Sequence, residues 1–384
     1  MIIKNGNILN VDRFIPGGDL CITGKKISAI DQELKAETGK KILEADGCYV
    51  LPGLIDIHTH GLLDLLVDEC SFLDFSRLQL EHGVTGCLAT LGGGCKKNLD
   101  TIKRAFQETE YLKKTPNILG FRPEILYLAD ASAGNPDSIT EITSETSEAL
   151  CAAAKGYIRI WDISPELEGA IPFIRWANEK GIITSMAHSN ASILQVGKAV
   201  DAGMSLVTHF YDLFPMPEEV DEGVYPAGVT DYINIEDRLT VEMIPDGVHV
   251  HPFLLKKTLR CKGLQGVIFI TDSVPGAGKA PGFYDGIYEG IKVEVTKDRG
   301  VRRVSDDILS GSALTHIQGF RNAVEKFGLS IPEASRLCSR NQAELLGLRN
   351  KGYLAPGMDA DIIILDKGLK LVYVIAGGEI GYRV

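Results

Sequence analysis

Between residues 51 and 354 short apolar runs alternate with amphipathic stretches, and this alternation leaves the chain very few folds. Gly86-Cys-Leu-Ala-Thr-Leu, Ile158-Arg-Ile-Trp, Ile182-Ile-Thr-Ser-Met-Ala, Ser205-Leu-Val-Thr-His and Gly266-Val-Ile-Phe-Ile-Thr-Asp read as buried strands. Residues 166–179, with Leu167, Ile171, Ile174 and Trp176 among polar positions, read as one of the helices between them. Strands separated by helices pack as a parallel sheet, and a long succession of such units predicts a (β/α)8 barrel. Both chain ends read instead as strands broken by turns, among them Met1-Ile-Ile-Lys, Gly47-Cys-Tyr-Val-Leu, Asp361-Ile-Ile-Ile-Leu and Leu371-Val-Tyr-Val-Ile-Ala. The predicted architecture is an α/β TIM barrel over 51–354, with a small discontinuous β-sandwich domain built from 1–50 and 355–384.

Polar residues stand at the ends of these strands. The run Leu51-Pro-Gly-Leu-Ile-Asp-Ile leads into His58-Thr-His60, and residues two apart on a strand share a face, so both imidazoles can reach one ion. Glu124 follows Asn117-Ile-Leu-Gly-Phe-Arg-Pro, His188 follows the run from Ile182, His209 closes Ser205 to Thr208, and Asp272 closes the run from Gly266. Active sites of barrels lie at that end of the strands. Singly, each residue has a structural explanation, a satisfied core histidine or a helix-capping aspartate; their shared placement points to a divalent ion such as zinc. Asp272 is then placed to take a proton from water and pass it to a leaving amine.

A formal net charge of −11 argues against nucleic-acid or anionic-membrane partners. No apolar run approaches the ~20 residues that span a bilayer, and the N-terminus shows no signal peptide. The eight cysteines are dispersed without a CxxC, which predicts reduced thiols and a cytoplasmic location.

The chain resembles the amidohydrolase superfamily and, within it, the N-acetylglucosamine-6-phosphate deacetylases. The resemblance spans nearly the whole chain and rests on Pro52-Gly-Leu-Ile-Asp-Ile-His-Thr-His-Gly61, Ser164-Pro-Glu166, Ala187-His-Ser-Asn190, Thr208-His209, Asp246-Gly-Val-His249, Thr271-Asp272, Leu309-Ser-Gly-Ser-Ala-Leu314 and Pro356-Gly-Met-Asp-Ala-Asp361. It implies that His58, His60, Glu124, His188 and His209 are metal ligands for one or two ions per chain, zinc or iron. It further implies that Asp272 is the acid/base, that His249 contacts the sugar or polarises the scissile carbonyl, and that a small N-acyl substrate is hydrolysed by a homodimer in which an arginine of one subunit reaches the substrate phosphate of the other.

Three departures concern substrate recognition. The family's His-Leu-Glu-Gly-Pro is here Arg122-Pro-Glu-Ile-Leu126, its Asn-Ala-Met after the ligand histidine is Asp212-Leu-Phe214, and the segment that supplies a phosphate-binding arginine reads Gly223-Val-Tyr-Pro-Ala-Gly228. Arg122 and Asp212 therefore become candidate substrate contacts. An aspartate beside a phosphate would set like charges together, so either the substrate differs or Arg122, Arg302 or Arg303 takes over the phosphate. The Gly-rich Val274-Pro-Gly-Ala-Gly278 reads as a tight loop after Asp272, Gly92-Gly-Gly94 as a loop at the barrel mouth, and His82 and His316 as structural. Competing readings are a relative acting on a cyclic amide or an N-acyl amino acid, and a catalytically silent barrel; the first lacks the lysine expected on the Ile158-Arg-Ile-Trp strand, and the second would have lost a ligand or Asp272.

Overall fold

Eight short parallel strands form the barrel: β1 (Leu54–Thr59), β2 (Val84–Leu91), β3 (Ile118–Pro123), β4 (Ile160–Ile163), β5 (Ile183–Met186), β6 (Leu206–Val207), β7 (Thr240–Met243) and β8 (Val267–Phe269). Neighbours pair in parallel. Bridges from Phe121 to Ile158 and from Thr59 to Ser273 complete the ring, as the alternating pattern predicts. The computed structural model describes residues 1–35, 39–132, 134–217, 221–286, 291–296 and 298–383.

Side chains alternate across each strand. Phe121, Trp161, Ile163, Val207, Val241 and Phe269 point outward into the core beneath the helices. Leu88, Ile160, Leu206 and Ile268 belong to a separate cluster inside the barrel. Arg122, Asp162, Thr208 and Glu242 share that inward parity, so a polar layer lies above the apolar one. The helices follow local signals. Ile193–Ala202 opens on a capping box between Ser192 and Gln195, closes at Gly203 with φ 115°, and buries Val196, Ala199 and Val200. The predicted helix over 166–179 begins only at Ala170, because Gly169 adopts φ 83°, outside the helical region.

The chain ends meet in one sheet, ordered 379–383, 371–376, 362–365, 49–52, 2–10, 13–23, 26–31, with 42–44 beside 2–10. Ile362–Leu365 runs antiparallel to Tyr49–Pro52, which ties the two ends of the sequence together. The sheet folds over its own core of Ile3, Leu20, Ile22, Ile27, Ile362 and Ile364. A bridge between Lys26 and Asp359 draws its far edge back, giving the expected sandwich. The run read as a single strand from Leu51 to Ile57 is two: it breaks at Gly53, so the sheet extends to Pro52 and the barrel starts at Leu54. A Cβ at Gly53 would lie 2.0 Å from Thr85 Oγ1, which is why the crossing needs glycine. The sequence pattern did not predict the antiparallel insert of 282–285, 292–296 and 300–303, which packs Val293, Val295 and Val301 on Val274 beside the barrel.

Candidate active site

The predicted ligands converge at the C-terminal mouth of the barrel. Glu124 Oε1 lies 3.4 Å from His58 Nε2 and 3.5 Å from both His188 Nε2 and His209 Nε2, while Oε2 lies 2.8 Å from His60 Nε2. Asp272 Oδ1 is 3.4 Å from His58 Nε2 and 3.6 Å from His60 Nε2. All six residues are buried. The pairing of β1 with β2 slips between Asp56 and Thr59, and such irregularities re-aim side chains next to active sites.

Three site residues are held in the left-handed region: His188 (φ 42°), His209 (φ 25°) and Asp272 (φ 49°). That conformation costs a non-glycine residue roughly 1–3 kcal/mol and persists only when its surroundings enforce it. They do so here: Asp272 N–H donates to His58 O at 2.9 Å, Ser312 N–H donates to Asp272 O at 2.8 Å, and Ser164 Oγ donates to His188 O at 3.0 Å.

The donor set fits a metal ion. His58, His60 and Asp272 form one group of potential ligand atoms and Glu124, His188 and His209 another, with the atoms of each group within 4.8 Å of one another. Neither ring nitrogen of the buried His58 makes a hydrogen bond among the described residues, a costly arrangement for an imidazole unless another partner claims it. Separations of 3.4–3.5 Å are long for charge-assisted hydrogen bonds. They are close to the edge of a tetrahedral shell with bonds of ~2.0–2.1 Å, about 3.3 Å.

The electrostatics carry the same demand for positive charge. Burial alone would push His58 down, as does Arg122, yet the carboxylates of Glu124 and Asp272 outweigh both and raise it to about 10. Burial likewise opposes the charge on His209, and Glu124, Asp212 and Asp272 raise it to about 9. Glu124, which burial would push up, is held well below its ordinary range by the four histidines.

Arg122, expected as a substrate contact, is not among the residues that line the cleft. The side chain points inward and is fully buried, so no ligand in the cleft reaches it. Its guanidinium donates to both oxygens of Asp162 (2.7 and 2.8 Å), to both of Glu242 (2.6 and 3.0 Å), to Ile57 O and to Thr208 Oγ1. Glu242 Oε2 in turn lies 3.5 Å from His58 Nδ1, so this layer supports the ligand histidine from below. Glu242 and Asp162 escape a search for ligands at strand ends because they lie within β7 and β4. The available signal is a carboxylate inside an apolar strand, in Ile160-Trp-Asp-Ile and Thr240-Val-Glu-Met.

Arg302 and Arg303 belong to the antiparallel insert and pair with Asp307 and Asp306. The His249 side chain is buried, with Nδ1 2.6 Å from Asp246 Oδ2, and it is not among the residues that line the cleft. Asp212 lines the cleft together with His60, Glu124, His188, His209 and Asp272; Ser310, Gly311 and Val274 form part of its wall. His82 and His316 bond to the carbonyls of Leu78 and Cys338, as structural histidines do.

A closed parallel barrel with His, Glu and Asp side chains gathered at its strand ends defines the class, and the chain belongs to the amidohydrolase family, whose model matches residues 49–381. Among its relatives is the N-acetylglucosamine-6-phosphate deacetylase of Lysinibacillus sphaericus, 30% identical over 99% of this chain and 97% of that protein. The N-acetylgalactosamine-6-phosphate deacetylase of Escherichia coli O157:H7 is 29% identical over 88% of this chain and 89% of that protein. A mutant of the N-acetyl-D-glucosamine-6-phosphate deacetylase of Mycobacterium smegmatis, solved in complex with N-acetyl-D-glucosamine-6-phosphate, is similar with a TM-score of 0.87 at 25% identity, covering 100% of this chain and 99% of that one.

Proposed function

We propose that this chain is a metal-dependent hydrolase that removes the acetyl group from an N-acetyl amino sugar. The observation that carries the reading is the convergence of four histidine Nε2 atoms and Asp272 around Glu124 at the barrel mouth. The names of the relatives across nearly the full chain support the substrate class.

His58, His60, Glu124, His188 and His209 would hold one or two divalent ions, zinc or iron. When bound, such an ion supplies Lewis acidity to the acyl carbonyl and acidifies water. Asp272 accepts the proton of the attacking water and delivers it to the departing amine, a transfer suited to a carboxylate at this place in the ligand cluster. His249, oriented by Asp246, presents Nε2 as a donor to the sugar or to the carbonyl oxygen as charge develops there. The cyclic-amide alternative gains nothing from the geometry, since the inward polar residue of β4 is Asp162, already engaged by Arg122. A homodimer in the cytoplasm completes the proposal; no helix among the described residues is long and apolar enough to cross a membrane. Light scattering of the purified chain tests the dimer.

The activity is tested by incubating the metal-loaded protein with N-acetyl amino sugars, their 6-phosphates and N-acyl amino acids and measuring released amine. Release from the sugars is the expected result. Release from the amino acids alone would overturn the substrate class.

A further inference from the structure

Resting on the amino-sugar reading, we infer that the substrate carries no phosphate, and that Asp212 binds a hydrogen-bond-donating group, hydroxyl or ammonium, of the substrate in the cleft beside His209. The cleft is lined by three carboxylates, Glu124, Asp272 and Asp212, and among the described residues by no Lys or Arg. Glu124 and Asp272 face the ligand histidines. Asp212 does not share that work: its Oδ2 is 3.9 Å from His209 Nδ1, beyond hydrogen-bond distance, and its side chain is 31% exposed to the cleft. It is the carboxylate left for a ligand.

Its position is built. Tyr211 and Leu213 on either side have φ of 79° and 58°, and Asp212 N–H donates to His209 O at 2.9 Å. Strained residues of this kind mark places where the fold enforces a side chain's direction. The stretch of chain that follows it carries charge of one sign. From His209 to Asp237 the sequence has neither Lys nor Arg, and Asp221 and Glu222 are exposed. Of the next three cations along the chain, Arg238, Lys256 and Lys257, Arg238 pairs with Asp201 and Glu236, and Lys257 with Asp231.

A phosphate needs charge-assisted donors, which arginine provides best. Here it would meet the Asp212 carboxylate. Neutral or cationic groups meet an acceptor instead, and discrimination arises as much from the repelled ligand as from the accepted one. Arg122, the one arginine beneath the site, is locked in the polar layer, and Arg302 and Arg303 have their own aspartates.

The test compares N-acetylglucosamine with its 6-phosphate. Calorimetry on the metal-loaded Asp272→Asn variant reads binding, and kcat/KM on the unmodified protein reads turnover. Binding of the free sugar about tenfold or more tighter than the phosphate is expected, with Asp212→Asn narrowing the ratio through weaker rejection of the phosphate. Tighter binding of the phosphate, a ratio unmoved by Asp212→Asn, or binding of neither compound overturns the inference. Binding of the free sugar without amine release by the unmodified protein would instead overturn the deacetylase reading and leave the charge selectivity standing.

Discussion

At the scale of single residues, the site depends on side chains that never meet the substrate. Glu242 sets a carboxylate 3.5 Å from His58 Nδ1, and a carboxylate behind a ligand histidine tunes its hold on a metal. Glu242→Gln keeps the shape and removes the charge, so metal titration should show affinity reduced about 10–100-fold with secondary structure unchanged by circular dichroism. The Asp246–His249 pair yields a pH prediction. Burial, the largest effect on each, opposes both charges, yet the pair lowers Asp246 from 3.8 and raises His249 from 6.5. The aspartate's contribution is present above its ordinary value and lost as pH falls through the lowered one; that of His249 is full below 6.5 and lost as pH rises through the raised one. The melting temperature of the unmodified protein should therefore fall more steeply on the alkaline side than that of Asp246→Asn, and parallel profiles would refute the coupling.

At the scale of elements, the break at Gly53 separates two units that the sequence pattern runs together. Gly53 N–H donates to Asp361 O at 2.9 Å and Ser339 Oγ donates to Gly53 O at 2.6 Å, so sheet, barrel and the last helical segment are pinned at one residue. Gly53→Val would drive its Cβ into Thr85 and should cost about 1–3 kcal/mol, measured by chemical denaturation, with Thr85→Gly restoring part of it. The strands, Glu124 and the five residues around it were legible because apolar runs ending in His, Glu or Asp leave a pattern along the chain. The polar layer was not, because Arg122 reads the same whether it faces inward or a ligand. Only the ring of strands reveals that Asp162, Thr208 and Glu242 surround it. The insert at 282–303 escaped because its alternating residues build a small sheet outside the barrel's rhythm.

At the scale of the whole molecule, the sequence ends are structurally inseparable. Removal of residues 355–384 would strip Tyr49–Pro52 of its antiparallel neighbour and open the core of Ile3, Leu20, Ile22 and Ile27 to water. An unpaired edge of this kind invites association. The truncated chain should lose the cooperative thermal transition of the full-length protein and aggregate; a soluble product with the same transition would show that the sheet is dispensable. The seam between Thr59 and Ser273 closes the barrel beside Asp272 and has a bearing on synthesis. The four ligand histidines and Glu124 leave the ribosome before the strand that leads to Asp272, and the sheet beneath β1 waits for residues 362–383. The growing chain thus carries its ligand histidines through much of its translation without the closed barrel that gathers them into a site.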